Sequence, residues 1–130
     1  MKWFVEERGA LAARTVLARG ETLLAPELVL VEASNTAWKK VKRREITPEQ
    51  GEAMMRAIPL YFDRLVESDI LIARAYALAT RLNHRVYDCL YLALAEMESI
   101  TMITDDPRLI KAVAGTEFRK RVRQLERFSG

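Results

Sequence analysis

The chain carries a single cysteine, Cys89, so it can build neither an intramolecular disulfide framework nor a cysteine-based zinc cluster. That scarcity points to a reducing compartment, and the expected location is cytoplasmic. No apolar run reaches the roughly 18 residues that a membrane span needs. The first residues, Met1-Lys2-Trp3-Phe4-Val5-Glu6-Glu7-Arg8, place acids where a secretory signal requires its apolar core. Glycine and proline are sparse, five and four, which leaves little room for long loops. There is no internal repeat, low-complexity tract or linker. An excess of one charge is missing too: 21 basic against 18 acidic residues leave +3, a weak pull on a polyanionic partner. What remains is half apolar and 30% charged over 130 residues, a composition that argues against disorder and suits one domain with a real core.

Helical spacing dominates the pattern. Glu6 to Ala18 reads as a helix, with Leu11, Ala12, Thr15 and Val16 near one face and Gly20 as its stop. Thr22 to Ala25 is a short apolar run of buried-strand type. Leu28, Val31, Ser34, Asn35, Trp38 and Val41 recur at helical spacing within Glu27–Arg44, whose cationic end complements the helix dipole. Thr47-Pro48-Glu49-Gln50 is a helix start with a capping box, for a helix reaching about Ile58. Leu60 to Val66 is a candidate strand. Ser68-Asp69 is expected to cap a helix over Ile70–Leu82, and a further helix covers Val86–Glu98. Thr101–Thr104 reads as a buried strand, Asp106-Pro107 as the start of a helix to about Ala114, and Val122–Leu125 as an edge strand. Short apolar strands alternating with helices predict an α/β fold with a short parallel sheet flanked by helices.

In such sheets, sites gather beyond the carboxyl ends of the strands. Three acids fall there: Glu32 after the Leu23-Leu24 strand, Asp106 directly after Thr101–Thr104 with Asp105 beside it, and Asp88. Asp88 interrupts the apolar stretch from Val86 to Ala95. Each has a plain local reading as well, Asp88 as a dipole-favoured helix start, Asp105 and Asp106 as an N-cap pair, Glu32 as a solvated helix residue. Acids converging on one rim repel each other, and a hard divalent cation such as Mg²⁺, which takes oxygen ligands and keeps several waters, relieves that repulsion.

Four segments resemble a PIN domain of the VapC-type toxins found in toxin–antitoxin pairs. They are Lys2-Trp3-Phe4-Val5-Glu6-Glu7; Leu24 to Asn35, with an acid at Glu32 and Asn35 three residues on; Tyr87-Asp88-Cys89-Leu90-Tyr91-Leu92-Ala93-Leu94-Ala95-Glu96; and Met102-Ile103-Thr104-Asp105-Asp106-Pro107-Arg108-Leu109. The third and fourth in series are the specific part, and the resemblance spans essentially the whole chain, 1–130, as one domain. It implies a three-layer, Rossmann-like fold and a metal-dependent endoribonuclease. It puts Glu32, Asp88 and Asp106 on catalytic, metal-holding positions for Mg²⁺ or Mn²⁺. Asn35 and Thr104 fall on supporting positions, and Asp105 on a variable one. It further implies a structured RNA substrate such as transfer RNA, a cognate VapB-type antitoxin and a homodimer.

The resemblance also implies a leading hydrophobic strand ending in an Asp a short way before Lys2. From Met1 onward neither is present, so the domain reads as N-terminally short. The loss of a central strand would leave a gap between its neighbours. Three explanations stay open: a true start upstream of Met1, which the retained motifs favour; a truncated chain; or a degenerate relative in which another segment fills the gap. If the chain were whole as it stands, weak metal binding and weak activity would be expected. The alternative function is then a catalytically impaired PIN-like interaction protein.

The lone histidine, His84, is a rival general base, but its place in the turn Asn83-His84-Arg85 suits a surface or helix-start residue. Cys89 reads as a small buried residue. Lys39, Lys40, Lys42, Arg43 and Arg44 form one basic run and Arg119, Lys120, Arg121, Arg123 and Arg127 another. Of these, Lys39, Lys40, Arg43 and Arg44 are expected to meet RNA phosphates, with a solvated face as the competing reading. Tyr87, Tyr91 and Trp38 are expected in the core or a dimer interface, with base stacking as the alternative. Trp3 and Phe4 sit near the start, where the resemblance implies a groove for the antitoxin or a second copy.

Overall fold

The most apolar segment of the chain sets the architecture. In helix α4 (Val86–Glu98), every residue from Asp88 to Ala95 is buried, so the helix offers no wet face along that stretch. A helix apolar all round has to lie inside the molecule. The computed structural model describes residues 16–19, 22–104 and 106–124. Within them, α4 packs chiefly against α3 (Ser68–Leu82), which turns the stripe Leu71, Ala75, Leu78 and Leu82 inward. It also touches strands β2 (Thr22–Pro26) and β4 (Thr101–Thr104). Together with Leu24, Val66, Met102, Leu109, Val113, Phe118 and Val122 these residues form the main core. Truncating one such leucine to alanine costs about 2–5 kcal/mol.

The remaining elements are β1 (Val16–Arg19), α1 (Leu28–Lys42), α2 (Pro48–Ala57), β3 (Arg64–Val66), α5 (Pro107–Val113) and β5 (Val122–Gln124). The sheet order is β3-β2-β1-β4-β5. The pairs β2–β3 and β4–β5 are parallel, as alternating strands and helices predict. Strand β1 runs antiparallel to both of its neighbours, pairing Leu17 with Leu24 on one side and with Met102 on the other. Strands β2 to β5 therefore all point one way, and the carboxyl ends of β2 and β4 open on the same rim.

Strand β1 corrects one expectation and answers another. Val16 to Ala18 belong to a strand and not to the end of a helix. β1 pairs with both β2 and β4, so another segment takes the place where the loss of a leading strand would leave a gap, which is one of the alternatives left open above. Two strand edges in need of backbone partners outweigh the helical bias of four residues. The rest of the expected first helix, the aromatic start at Trp3 and Phe4, and Gly20 lie outside the described residues.

Elsewhere the chain follows its local chemistry. The Thr47 hydroxyl accepts from the Gln50 N–H at 3.1 Å and the Gln50 side chain accepts from the Thr47 N–H at 2.8 Å, completing the capping box of α2. Arg44 takes the left-handed conformation (φ 61°) in the turn between α1 and α2. Gly51 lets these two helices close on each other: a Cβ there would stand 2.5 Å from Val41 Cγ2. The strand expected over Leu60–Val66 shrinks to Arg64–Val66, because Pro59 seeds a 3₁₀ turn over Ile58–Tyr61. Ser68 and Asp69 lie inside α3, whose cap position is Glu67, without a side-chain capping bond.

Candidate metal centre

Three acids approach the rim from three elements. Asp88 sits in the first turn of α4, where the helix dipole favours a carboxylate. The turn before it places a partner. Asn83 ends α3 in the left-handed conformation (φ 52°), and the His84 N–H returns to the Ala79 carbonyl at 3.1 Å. This leaves His84 one helical turn ahead of Asp88, with Nε2 2.7 Å from Asp88 Oδ2. The two side chains are only 7% and 5% exposed. Arg85 Nη2 reaches the same Oδ2 at 3.3 Å and lies 3.8 Å from Asp106 Oδ2.

Asp106 is held by the backbone at the end of β4. Its N–H donates to the Thr104 hydroxyl at 3.0 Å, and Thr104 is fully buried. Its Oδ1 accepts from the Arg108 N–H at 2.9 Å, which caps α5. Burial raises its pKa, but the Arg108 N–H, the Arg108 guanidinium and His84 outweigh that, so the carboxyl lies below its ordinary range. Ligand atoms of His84, Asp88 and Asp106 all fall within 4.8 Å of one another.

Glu32 comes from α1, the helix that follows β2. The hydroxyl of Tyr91, a fully buried residue one turn beyond Asp88, donates a hydrogen bond to Glu32 Oε1. Glu32, Asn35 and Asp88 line one cleft of about 310 Å³, with Leu28, Val31, Arg85 and Tyr87. The structure thus brings Asp88 and Asp106 into direct proximity and sets Glu32 and Asn35 on the cleft that Asp88 borders. Thr104 stands behind Asp106 as a support. Asp105 lies outside the described residues.

The donor set fits a hard divalent cation. Both hydrogen bonds to Asp88 fall on Oδ2, so among the described residues Oδ1 of this buried carboxylate has no hydrogen-bond donor. Carboxylate oxygens of Asp88 and Asp106, with Glu32 on the cleft that Asp88 borders, match the oxygen preference of Mg²⁺ and Mn²⁺.

Sequence reasoning undervalued two residues. His84 is neither at the surface nor at a plain helix start; its spacing of four from Asp88 was the available signal. Tyr91 is in the core as expected, but its bond to Glu32 joins elements that no local pattern connects. Tyr87 and Trp38, expected in the core or a dimer interface, are not in the core, being 61% and 55% exposed. Cys89 is buried, and burial, with Asp88 beside it, pushes its thiol up to about 11, so it is no nucleophile. The basic run sits away from the acids. At 1.5 Å per residue, Lys39 is about 10 Å along α1 from Glu32 and Arg43 farther still. Lys39, Arg43 and Arg44 are exposed and form no ion pair among the described residues, while Lys40 pairs with Glu45 at 3.3 Å. In the second run, Arg119, Lys120 and Arg123 are exposed, and Arg127 lies outside the described residues. No described helix is long and apolar enough to cross a membrane.

A family model described as PIN domain matches residues 1–115. The chain is 36% identical over 89 residues to "Ribonuclease VapC1" of Mycobacterium tuberculosis, covering 68% of this chain and 65% of that protein, in strains CDC 1551 and H37Rv alike. It is 31% identical over 106 residues to "Ribonuclease VapC3" of Pyrobaculum aerophilum, covering 80% of each. The chain therefore spans somewhat under two thirds of the length of the mycobacterial relatives, 65%.

Proposed function

The chain belongs to the PIN domain family, and from that premise we propose that it is a divalent-metal-dependent endoribonuclease, the toxin of a toxin–antitoxin pair, acting on structured RNA. The observation that carries this reading is the convergence of Asp88 and Asp106 on one rim, with Glu32 lining the cleft that Asp88 borders. Asp88, Asp106 and Glu32 would hold Mg²⁺ or Mn²⁺. A bound ion would supply charge neutralisation at the phosphoryl oxygens and lower the pKa of an attacking water.

The protein's own groups do the rest. The Tyr91 hydroxyl fixes Glu32, and the Thr104 hydroxyl with the Arg108 N–H fixes Asp106, so the acids keep their positions before substrate arrives. Asn35 offers an amide to the cleft beside Glu32. Lys39 and Lys40 at the end of the same helix, with Arg43 and Arg44 just past it, would take the phosphates of a bound RNA strand. The partners are a VapB-type antitoxin and a second copy of the chain, in the cytoplasm. Exposed Ile70, Ile72 and Tyr76 on α3 are the kind of surface that a second copy covers.

The test is cleavage of a structured RNA by the purified chain with Mg²⁺ or Mn²⁺, alongside EDTA and Asp88→Asn. Cleavage should require the metal and vanish in the variant. Equal cleavage by Asp88→Asn, or cleavage in EDTA, would refute the assignment.

A further inference from the structure

We infer that His84 is a positioning residue for the metal centre: through Nε2 it ties down one oxygen of Asp88 and so presents the other to the cation. The inference rests on the metal-centre reading above and adds a residue to it.

Asp88 is buried, and a buried carboxylate that turned freely between rotamers would offer a cation no fixed ligand. His84 Nε2 stands 2.7 Å from Oδ2, both side chains are almost wholly enclosed, and the pair spans one turn of the α3–α4 connection. As a metal ligand Asp88 would be ionised and could only accept, so the ring would donate from Nε2. Arg85 reaches the same oxygen at 3.3 Å from a half-exposed position, so its hold is looser and wetter. Oδ1, the other oxygen, has no hydrogen-bond donor among the described residues. One oxygen is therefore held and one is offered. The backbone at His84 is itself fixed, since its N–H closes the end of α3 on Ala79. Groups that orient a ligand in this way typically account for about 10–100-fold in metal affinity.

A ligand role and a positioning role separate by metal. Nitrogen ligation suits Mn²⁺ better than Mg²⁺, so losing a nitrogen ligand would weaken Mn²⁺ selectively. Losing a group that only orients an oxygen would weaken both alike. The experiment is calorimetric titration of the full chain with MnCl₂ and with MgCl₂, for wild type, His84→Ala, His84→Gln and Asp88→Asn. His84→Ala should weaken both ions about 10-fold or more, by the same factor. His84→Gln, which returns an N–H near the Nε2 position, should recover most of that loss. Should His84→Ala not fold, His84→Phe, which fills the space without an N–H, takes its place and is read by the same outcomes. Unchanged affinity in His84→Ala, a loss confined to Mn²⁺, or a His84→Gln loss as large as that of alanine overturns it. Asp88→Asn separates the two readings. If it binds metal as wild type does, the metal centre itself is wrong. If it fails to bind while His84→Ala binds normally, only the role of His84 is.

Discussion

The two ends of α1 carry charge of opposite sign under opposite conditions. Glu32 lies half-buried near the start and is gripped by a tyrosine from the central helix α4. At the other end Lys39, Arg43 and Arg44 are exposed and unpaired among the described residues. Glu32 is specified by its neighbours and these three cations only by composition. A group meant to hold an ion at fixed distance needs a rigid surround, whereas a group meant to attract a polyanion loses little by moving.

The contrast breaks if both ends answer alike to substitution. The largest effect is expected from Glu32→Gln, which should reduce RNA cleavage by about 100-fold or more while RNA affinity in EDTA stays unchanged. A matching fall in affinity would mean that Glu32 serves the fold or the RNA, not the chemistry. Next comes Tyr91→Phe, which removes only the hydroxyl that grips Glu32. Cleavage should fall about 10-fold, and a melting curve should show a loss of about 1 kcal/mol.

The other end should behave differently. Replacing Lys39, Arg43 and Arg44 by alanine should leave cleavage at saturating RNA intact. Filter binding across a salt series should show weaker affinity and a shallower salt slope, by roughly one for each phosphate no longer neutralised. An unchanged slope would assign these cations to a solvated face.

The smallest effect serves as a control on an ion pair between two other helices. Arg74 grips Glu96 through two bonds of 2.6 and 2.7 Å between α3 and α4. The Arg74 hydrogen bond outweighs burial and holds the Glu96 carboxyl below its ordinary range. A carboxyl lowered on folding stabilises above its unfolded value, near about 4.3, and that contribution disappears as the pH falls through the folded value. Because both side chains are partly exposed, Glu96→Gln should cost less than about 1 kcal/mol at neutral pH. Urea midpoints of the two proteins should converge in acid.

Much of this was legible in the sequence, and the exceptions share a cause. The cap of α2 at Thr47, the burial of Cys89 to Ala95 and the position of Asp106 are short-range matters, written in residues a few places apart. Glu32, Asp88 and Asp106 stood out because each breaks a pattern: two follow strands, and one interrupts an apolar run. Strand β1 could not be read, since Val16–Arg19 becomes a strand only when two distant edges compete for it. The grip of Tyr91 on Glu32 was hidden for the same reason, its partners lying on two helices far apart in the chain.

The pairing of β1 has a consequence for the order of assembly. It zips residues 16–18 to residues 101–103, nearly the length of the domain apart, and such closures come late because so much chain must first be brought into place. On the ribosome the effect is sharper, because synthesis is directional. A nascent chain still short of residue 101 already has Glu32, His84 and Asp88. It has no β4 to complete the sheet and no Asp106 to complete the rim. Whatever chemistry the rim performs is therefore withheld until synthesis has passed Asp106 and β4 has reached β1.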